Sequence, residues 1–396
     1  MMCGVKYMQI MFIHLSDMHI RDNRAYNSFQ LNKIVDAAVS AGSVDYTIIL
    51  LSGDIAFSGQ SEQYVTANRC LQHIIQRYKH LSNNQCFINI LAVPGNHDIA
   101  YPNEAERLTS AKLQDIRKVN SYERHINAQA DLQKAFFQFA SQKTQCEWSS
   151  NYQFQRKLIG FGDFTLEVNL INSGLFSTLD EDKGLHYLSQ HCINSLIEPT
   201  GADFVITMMH HAPEWYTDDI KHQLDDIIYR KSSLVFLGHE HYIEHKAISH
   251  EDMPGAFIQA GGCLCENDNW RDSSFFIGVI DTDGHEYTQI EYSWNPRQNQ
   301  YERAMTRTLP LVSKPSTENP LRIKSSFIRD FVRDVKHEHL SDDFRSYFVF
   351  PRIQQQNSDG ISNGEIVSED GFISEILDKK RILIYGGYNS GKSTLL

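Results

Sequence analysis

The chain has no run of 18 consecutive apolar residues, no CxxC pair and no excess of basic charge, and each absence removes a class of function. Without the apolar run no membrane-spanning helix is expected. The apolar stretch between Met1 and Asp17 is too short for one and lacks a small-residue cleavage site, so neither export nor anchoring is expected. The seven cysteines, Cys3, Cys70, Cys86, Cys146, Cys192, Cys263 and Cys265, are odd in number and scattered. Neither a disulfide framework nor a zinc knuckle is therefore expected, and a reducing cytoplasm is the expected setting. Against 37 basic residues stand 49 acidic ones, a net charge of −12. That balance argues against a broad electrostatic footprint on nucleic acid and leaves room only for a local basic groove.

What is present is an ordinary globular composition, 41% hydrophobic, 11% aromatic and 22% charged, over 396 residues. This length suits one large domain and part of a second. Short β-branched apolar runs, Ile10 to Leu15, Tyr46 to Leu51 and Phe87 to Val93, alternate with helical patterns at Asn27 to Ala41 and Ser61 to Leu81. The alternation predicts an α/β fold. A mostly helical stretch, 99–150, interrupts the strand rhythm and reads as a helical cap. Strand patterns resume at Phe154, Phe164, Phe204, Leu234, Phe257, Phe275 and Tyr287, enough for a second sheet.

Each early strand ends in polar or glycine-containing text, the place where open α/β sheets carry their sites. In order these ends read Asp17-Met18-His19, Gly53-Asp54, Gly95-Asn96-His97-Asp98, His210-His211 and Gly238-His239-Glu240-His241. Carboxylates, an amide and imidazoles in one set are the donors that suit manganese, iron or zinc, and two such ions close together need a shared carboxylate. The ordered series resembles the calcineurin-like metallophosphoesterase family. The resemblance implies a four-layer α/β/β/α sandwich over residues 8–294 and a pair of divalent ions, manganese first, with iron or zinc as alternatives. It further implies that one ion takes Asp17, His19, Asp54 and His241, the other Asp54, Asn96, His210 and His239, with Asp54 as the bridge. His210 rather than His211 is chosen because family members ligate through the first of the pair. His97 is then the acid that protonates the leaving oxygen, with Asp98 orienting its ring. The remaining histidines, His14, His73 and His80 among them, are expected to be structural or solvent-facing. Cys263 and Cys265 are expected to be small packing residues, and Asn172-Ser173 a short polar turn near the pocket.

Protein phosphatases of the same superfamily carry arginine in an extended second motif, whereas this chain reads GDIAFSG. The opening HLSDMHI and the late GHEHYIE look more like the branch that cleaves phosphodiesters, so a nuclease or nucleotide phosphodiesterase is expected. Tyr101, Arg107, Arg117, Tyr122 and Arg124 are available in the helical stretch to stack on bases or pair with phosphates, or to form a solvated face. A phosphomonoesterase and a catalytically silent interaction module are the alternative readings.

After Trp294 the prolines at 296, 310, 315 and 320 fall in a polar stretch that reads as a linker, 295–324. Residues 325–396 open with a helical pattern and end in RILIYGGYNSGKSTLL, where Gly386 to Ser393 fits the phosphate-cradling GxxxxGKS loop. Gly386, Gly391, Lys392, Ser393 and Thr394 are the expected phosphate and Mg²⁺ contacts, serving ATP only in a longer chain, because the acidic strand such a site needs is not in the sequence. The passage resembles the entry into STAND-class, NACHT-like NTPases, which implies that the phosphoesterase is an effector, in antiviral defence for example. Its partners would then be a nucleic acid or nucleotide substrate and its own downstream NTPase and sensor domains, with oligomerisation on activation and no membrane.

Overall fold

The computed structural model describes residues 8–21, 28–82, 87–101, 108–144, 148, 152–161, 164–178, 183–241, 244–250, 253–265, 271–282, 285–310, 353–356 and 362–367. Two units divide the chain, one reaching Lys314 and the other holding Pro315 to Leu396.

The first unit opens with strand β1 (Gln9–Leu15), helix α1 (Ser28–Ala41), β2 (Tyr46–Ser52), α2 (Ser61–Leu81) and β3 (Phe87–Val93). Helices α3 (Ser110–Lys118), α4 (Ile126–Leu132) and α5 (Lys134–Thr144) come next. Then come β4 (Phe154–Phe161), β5 (Phe164–Ile171), α6 (Gln190–Ile197), β6 (Phe204–Met208), α7 (Asp218–Lys231), β7 (Leu234–Leu237), β8 (Glu244–His250), β9 (Met253–Ala260), β10 (Ser274–Asp281), β11 (Glu286–Asn295) and β12 (Gln300–Pro310). One sheet runs β12-β11-β10-β1-β2-β3 and the other β4-β5-β6-β7-β9-β8. The centres of both are parallel, β1-β2-β3 in the first and β5-β6-β7-β9 in the second, so several strand ends emerge on one side.

The sheets stack because side chains alternate along each strand. On β1 and β2, Ile10, Phe12, Ile48 and Leu50 face Val168, Leu170, Ile206, Met208 and Phe236 of the other sheet. The intervening Met11, Ile13, Leu15, Ile49 and Leu51 face helices α1, α2 and α5. A strand covered on both sides is apolar at nearly every position, which is why β1 and β2 read as near-continuous hydrophobic runs. In the same way Val235 and Leu237 turn outward onto Ile193 and Leu196 of α6 and Leu224 of α7. Each such side chain, fully buried, contributes about 1.5–3 kcal/mol. On α1 the inward residues Leu31, Ile34, Val35 and Ala38 keep the i, i+3, i+4, i+7 spacing of one helix face.

The structure corrects two expectations. The polar stretch after Trp294 does not begin a linker, because β12 pairs with β11 along its whole length and forms the edge of the first sheet. An edge strand exposes most of its side chains, so Glu302, Arg303 and Arg307 carry no apolar signature. The stretch 99–150 is not wholly a cap either: Phe136, Phe139 and Ala140 of α5 belong to the helix layer on the first sheet. Among the described residues of this stretch, α3, α4 and the turn between them stand outside it, where Leu113, Tyr122 and Ile126 pack with Leu175, Phe176 and Leu185.

In the second unit the described residues form a two-stranded antiparallel ladder, β13 (Ile353–Gln356) with β14 (Ser362–Val367). Gly386, Gly391, Lys392, Ser393 and Thr394 lie outside the described residues. Among the described residues no helix is long and apolar enough to cross a membrane.

Candidate metal centre

The carboxyl ends of β1, β2, β3, β6 and β7 converge, and the five motif loops leave from them. The first two are zipped together by backbone bonds, Asp17 N to Gly53 O at 3.2 Å, His19 N to Asp54 O at 2.9 Å and Ile20 N to Ile55 O at 3.0 Å. Gly238 N donates to His210 O at 3.0 Å and ties the last two. Five of the seven donors expected for the metals, Asp17, His19, Asp54, His239 and His241, hold left-handed backbone with φ between 43° and 73°. Residues with a Cβ rarely adopt that region, and they cluster in it where a site dictates the chain path. Glycine serves a different need beside them. A Cβ on Gly95 would sit 2.1 Å from Asp54 Oδ1 and 2.7 Å from His210 Cδ2, so only a bare backbone lets the third loop close on the second.

Two groups of donors result. In one, His19 Nε2 lies 3.4 Å from His241 Nε2 and 3.9 Å from both Asp17 Oδ1 and Asp54 Oδ2. His241 Nε2 is 3.2 Å from Asp17 Oδ1. In the other, His210 Nε2 lies 3.3 Å from Asp54 Oδ2 and 3.2 Å from Asn96 Oδ1. Ring nitrogens of His210, His211 and His239 also lie within 4.8 Å of one another. The same Asp54 oxygen thus faces both groups. Asp54 Oδ1 is taken by the His97 backbone N–H at 2.9 Å.

These residues fit a pair of cations. His210 Nδ1 points at the Ser52 carbonyl at 2.7 Å, and a carbonyl only accepts, so Nδ1 carries the proton and Nε2 presents its lone pair. That lone pair faces two oxygens that are acceptors as well, an arrangement that needs positive charge between its members. Asp17 Oδ1 is buried and makes no hydrogen bond. Burial pushes His19 down, which keeps its imidazole neutral and able to ligate. For His210 burial pulls downward too, but Asp54 outweighs it and raises the ring to about 10, a proton standing in for a cation. Asp54 and Asp17 are held below the usual carboxylate range, against burial, by His210 beside Asp54 and by His241 and His210 beside Asp17.

Below about pH 10 an incoming ion must displace the His210 proton, so metal affinity is expected to rise as pH rises, by about tenfold per unit for that proton between pH 6 and 9. Calorimetry in buffers of different ionisation enthalpy reads the released proton; a pH-independent affinity would contradict the assignment of His210.

Around the donors stands a layer of hydroxyls and amides. Ser52 Oγ accepts from His14 Nε2 at 2.8 Å, and Gln259 Nε2 donates to His14 Nδ1 at 3.2 Å. Burial drives His14 down to about 3, so it is a neutral relay of hydrogen bonds rather than a titrating group. Ser173, in the turn after β5, accepts from the backbone of His210 at 3.1 Å and of His211 at 2.9 Å, with His211 Nδ1 at 3.0 Å. The polar turn at Asn172-Ser173 thus fixes the histidine pair.

His97 lies close to the first group: its ring is 4.6 Å from that of His19, and a His97 nitrogen lies within 4.8 Å of Asp54 and His19. The expected His97–Asp98 dyad is not formed. His97 Nδ1 donates to the Phe57 carbonyl at 2.8 Å, so Phe57 orients the ring. Asp98 instead accepts from Ile55 N at 3.2 Å, Ala56 N at 2.9 Å, Gly95 N at 2.9 Å and Tyr64 OH at 2.7 Å, and is fully buried. Its backbone turns the carboxylate away from the neighbouring ring and into the knot between two motif loops and α2. Burial and the charge on Asp54 raise its carboxyl to about 6.

Flanking the donors are two aromatic rings, each with a cation on it. Arg21 lies 3.4 Å over Phe57, next to His97 and His19. On the other side Trp215 meets His239 edge-on at 4.5 Å, donates from Nε1 to Glu240 at 3.1 Å, and carries Lys183 at 5.1 Å. Three of the residues read as available to substrate or as a solvated face make hydrogen bonds within the protein. Tyr122 is buried and donates to Leu185 O at 2.8 Å, Tyr101 donates to Ser177 O at 3.1 Å, and Arg117 donates to Gly184 O at 3.1 Å. Arg124 is exposed, and Arg107 lies outside the described residues.

The chain is similar to several solved structures. Vps29 from Entamoeba histolytica, complexed with Zn, is 12% identical over 76% of this chain and 99% of that chain, at a TM-score of 0.32. Vps29 from Chaetomium thermophilum is 10% identical over 77% and 100%, at 0.31. The calcineurin-like phosphoesterase YfkN from Bacillus subtilis is 10% identical over 83% and 96%, at 0.36. No curated protein matches the sequence. Residues 10–242 match the calcineurin-like phosphoesterase family. That span is more than half of the chain and contains every one of the seven converging donors, and the protein belongs to this family of metal-dependent phosphoesterases.

Proposed function

We propose that the protein is a two-metal phosphodiesterase acting on nucleic acid or nucleotides. The observation that carries this reading is the pair of cation-bearing rings, Arg21 on Phe57 beside His19 and His97 and Lys183 on Trp215 beside His239. A phosphodiester has an organic group on each side of phosphorus, and half-buried Phe57 with Arg21 beside one group of donors and exposed Lys183 beside the other can each meet one of those groups or a neighbouring phosphate. A monoester has only one such group. Where phosphatases of the superfamily carry Asp-Arg in the extended second motif, this chain reads Phe57-Ser58, and the Phe57 carbonyl accepts from His97.

Asp17, His19, Asp54 and His241 would hold one ion, and Asp54, Asn96, His210 and His239 the other. When bound, the pair supplies an activated water and charge stabilisation at the phosphoryl oxygens. The protein's own part is positioning and proton transfer. With Nδ1 committed to Phe57 O, His97 exchanges its proton at Nε2, and the imidazolium form donates it to the leaving oxygen. His97→Ala is expected to lower kcat by about 10²–10⁴-fold with metal content unchanged. The fall should be larger for an alkoxide leaving group than for para-nitrophenoxide, which needs no proton; equal losses for both would remove His97 from the acid role.

The reading is tested by comparing bis-para-nitrophenyl phosphate with para-nitrophenyl phosphate in the presence of Mn²⁺, then single-stranded DNA, plasmid, RNA and cyclic nucleotides. Preference for the monoester would favour a phosphomonoesterase, and no turnover of any substrate would favour a silent interaction module. The motif from Gly386 to Ser393 supports the further proposal that this domain is the effector of a STAND-type NTPase, switched by nucleotide and acting in antiviral defence. A longer chain that hydrolyses diesters only when ATP and a trigger are present would support it.

A further inference from the structure

A thiol, in addition to His97, reaches the first group of donors. The loop after β9 runs Gly261-Gly262-Cys263-Leu264-Cys265 and is laced to the end of β1: Leu264 N donates to Ser16 O at 3.0 Å, and Cys265 N to Asp17 O at 3.1 Å. Ser16 and Cys263 form a parallel bridge between the two segments. A Cβ on Gly261 would lie 3.0 Å from His14 Cε1, Leu237 O and Ser16 Cβ, so the loop is seated as tightly as glycine allows. This seating fixes the Cys263 Sγ 3.5 Å from the Asp17 carbonyl. Sγ and ligand nitrogens of His19 and His241 then lie within 4.8 Å of one another. The thiol is buried and in no disulfide. A second observation points to a ligand at the same place: Asp17 Oδ1, fully buried and without a hydrogen bond, lies 3.2 Å from His241 Nε2 and 3.9 Å from His19 Nε2.

We propose that Cys263 is a sulfur ligand to the cation gathered by Asp17, His19 and His241, an assignment that rests on the two-metal reading above. On coordination the S–H bond breaks, a metal–sulfur bond forms and the proton leaves to solvent, with no change of oxidation state. Sulfur is the softest donor in the set. Its presence shifts this position toward zinc or iron and away from manganese, while the position built on Asn96, Asp54, His210 and His239 keeps only nitrogen and oxygen donors. The two ions of the centre would therefore differ, with iron or zinc, the alternatives to manganese, favoured at this one.

The test is cobalt(II) titration of the metal-free full chain. Visible ligand-field bands report binding, and a near-ultraviolet sulfur-to-cobalt charge-transfer band reports the thiolate. Both bands are expected in the wild type; the charge-transfer band should vanish in Cys263→Ser and persist in Cys265→Ser. Zinc affinity of C263S should fall by more than the roughly 10–100-fold that loss of an outer-sphere partner costs, with manganese affinity falling less. Zinc-edge X-ray absorption of the wild type reads the same point without any substitution: a sulfur neighbour at about 2.3 Å is expected. Ligand-field bands with no charge-transfer band, or a zinc shell of nitrogen and oxygen alone, would overturn the proposal and leave the two-metal reading standing. Absence of cobalt binding altogether would overturn both.

Discussion

Asp54→Asn is expected to lower diester hydrolysis by at least about 10³-fold and to leave the protein holding fewer than two ions, the several kcal/mol that metal stabilisation contributes being lost together. The reason is the position of one oxygen. Oδ2 lies 3.9 Å from His19 Nε2 and 3.3 Å from His210 Nε2, so this single carboxylate atom faces both groups. Asparagine keeps the shape but not the charge. If its amide nitrogen takes the place of Oδ2, two hydrogens point where cations belong; if it takes the place of Oδ1, it meets the His97 N–H that now donates there at 2.9 Å. Metal analysis of the purified variant, circular dichroism and turnover of bis-para-nitrophenyl phosphate give the answer. A folded variant with two ions and activity within tenfold of the wild type would remove Asp54 from the bridging role.

The largest loss of stability is expected from Asp98→Ala, upward of about 3 kcal/mol, since it strands four buried donors at about 1–3 kcal/mol each before any relaxation. Ile55 N, Ala56 N and Gly95 N belong to the second and third motif loops, and Tyr64 OH to α2. In thermal unfolding of a unit of this size this corresponds to a fall of about 4–5 °C or more. The outcome discriminates between two roles. A residue that only orients His97 would alter kcat and leave the melting temperature alone, whereas a knot between loops lowers the melting temperature first and loses metal as a result.

Motifs were readable because the chemistry is local: Gly-Asp, Gly-Asn-His and Gly-His-Glu-His each need a tight turn and its donors within a few residues. The layered core was readable from β1 and β2, whose apolar runs Ile10 to Ile13 and Ile48 to Leu51 require cover on both faces. Other features depend on partners far along the chain. The role of Asp98 rests on donors 34 to 43 residues away as well as on Gly95, and no spacing rule connects them. Ser173 holds histidines 37 and 38 residues later, and Cys263 meets His19 only because β9 lies beside β7 and its loop returns to β1. Strand β12 was hidden for the opposite reason: its pairing uses backbone, and its exposed side chains leave no pattern.

The left-handed backbone at Asp17, His19, Asp54, His239 and His241 bears on how this protein could be engineered. Each costs on the order of 1 kcal/mol relative to relaxed chain, and glycine would relieve it. A selection for heat resistance alone would therefore reward glycine at these positions in the metal-free protein, removing one donor with every step. Chain stability and phosphoester chemistry pull in opposite directions at the same five backbone positions, and any improvement of the first must be sought elsewhere in the molecule.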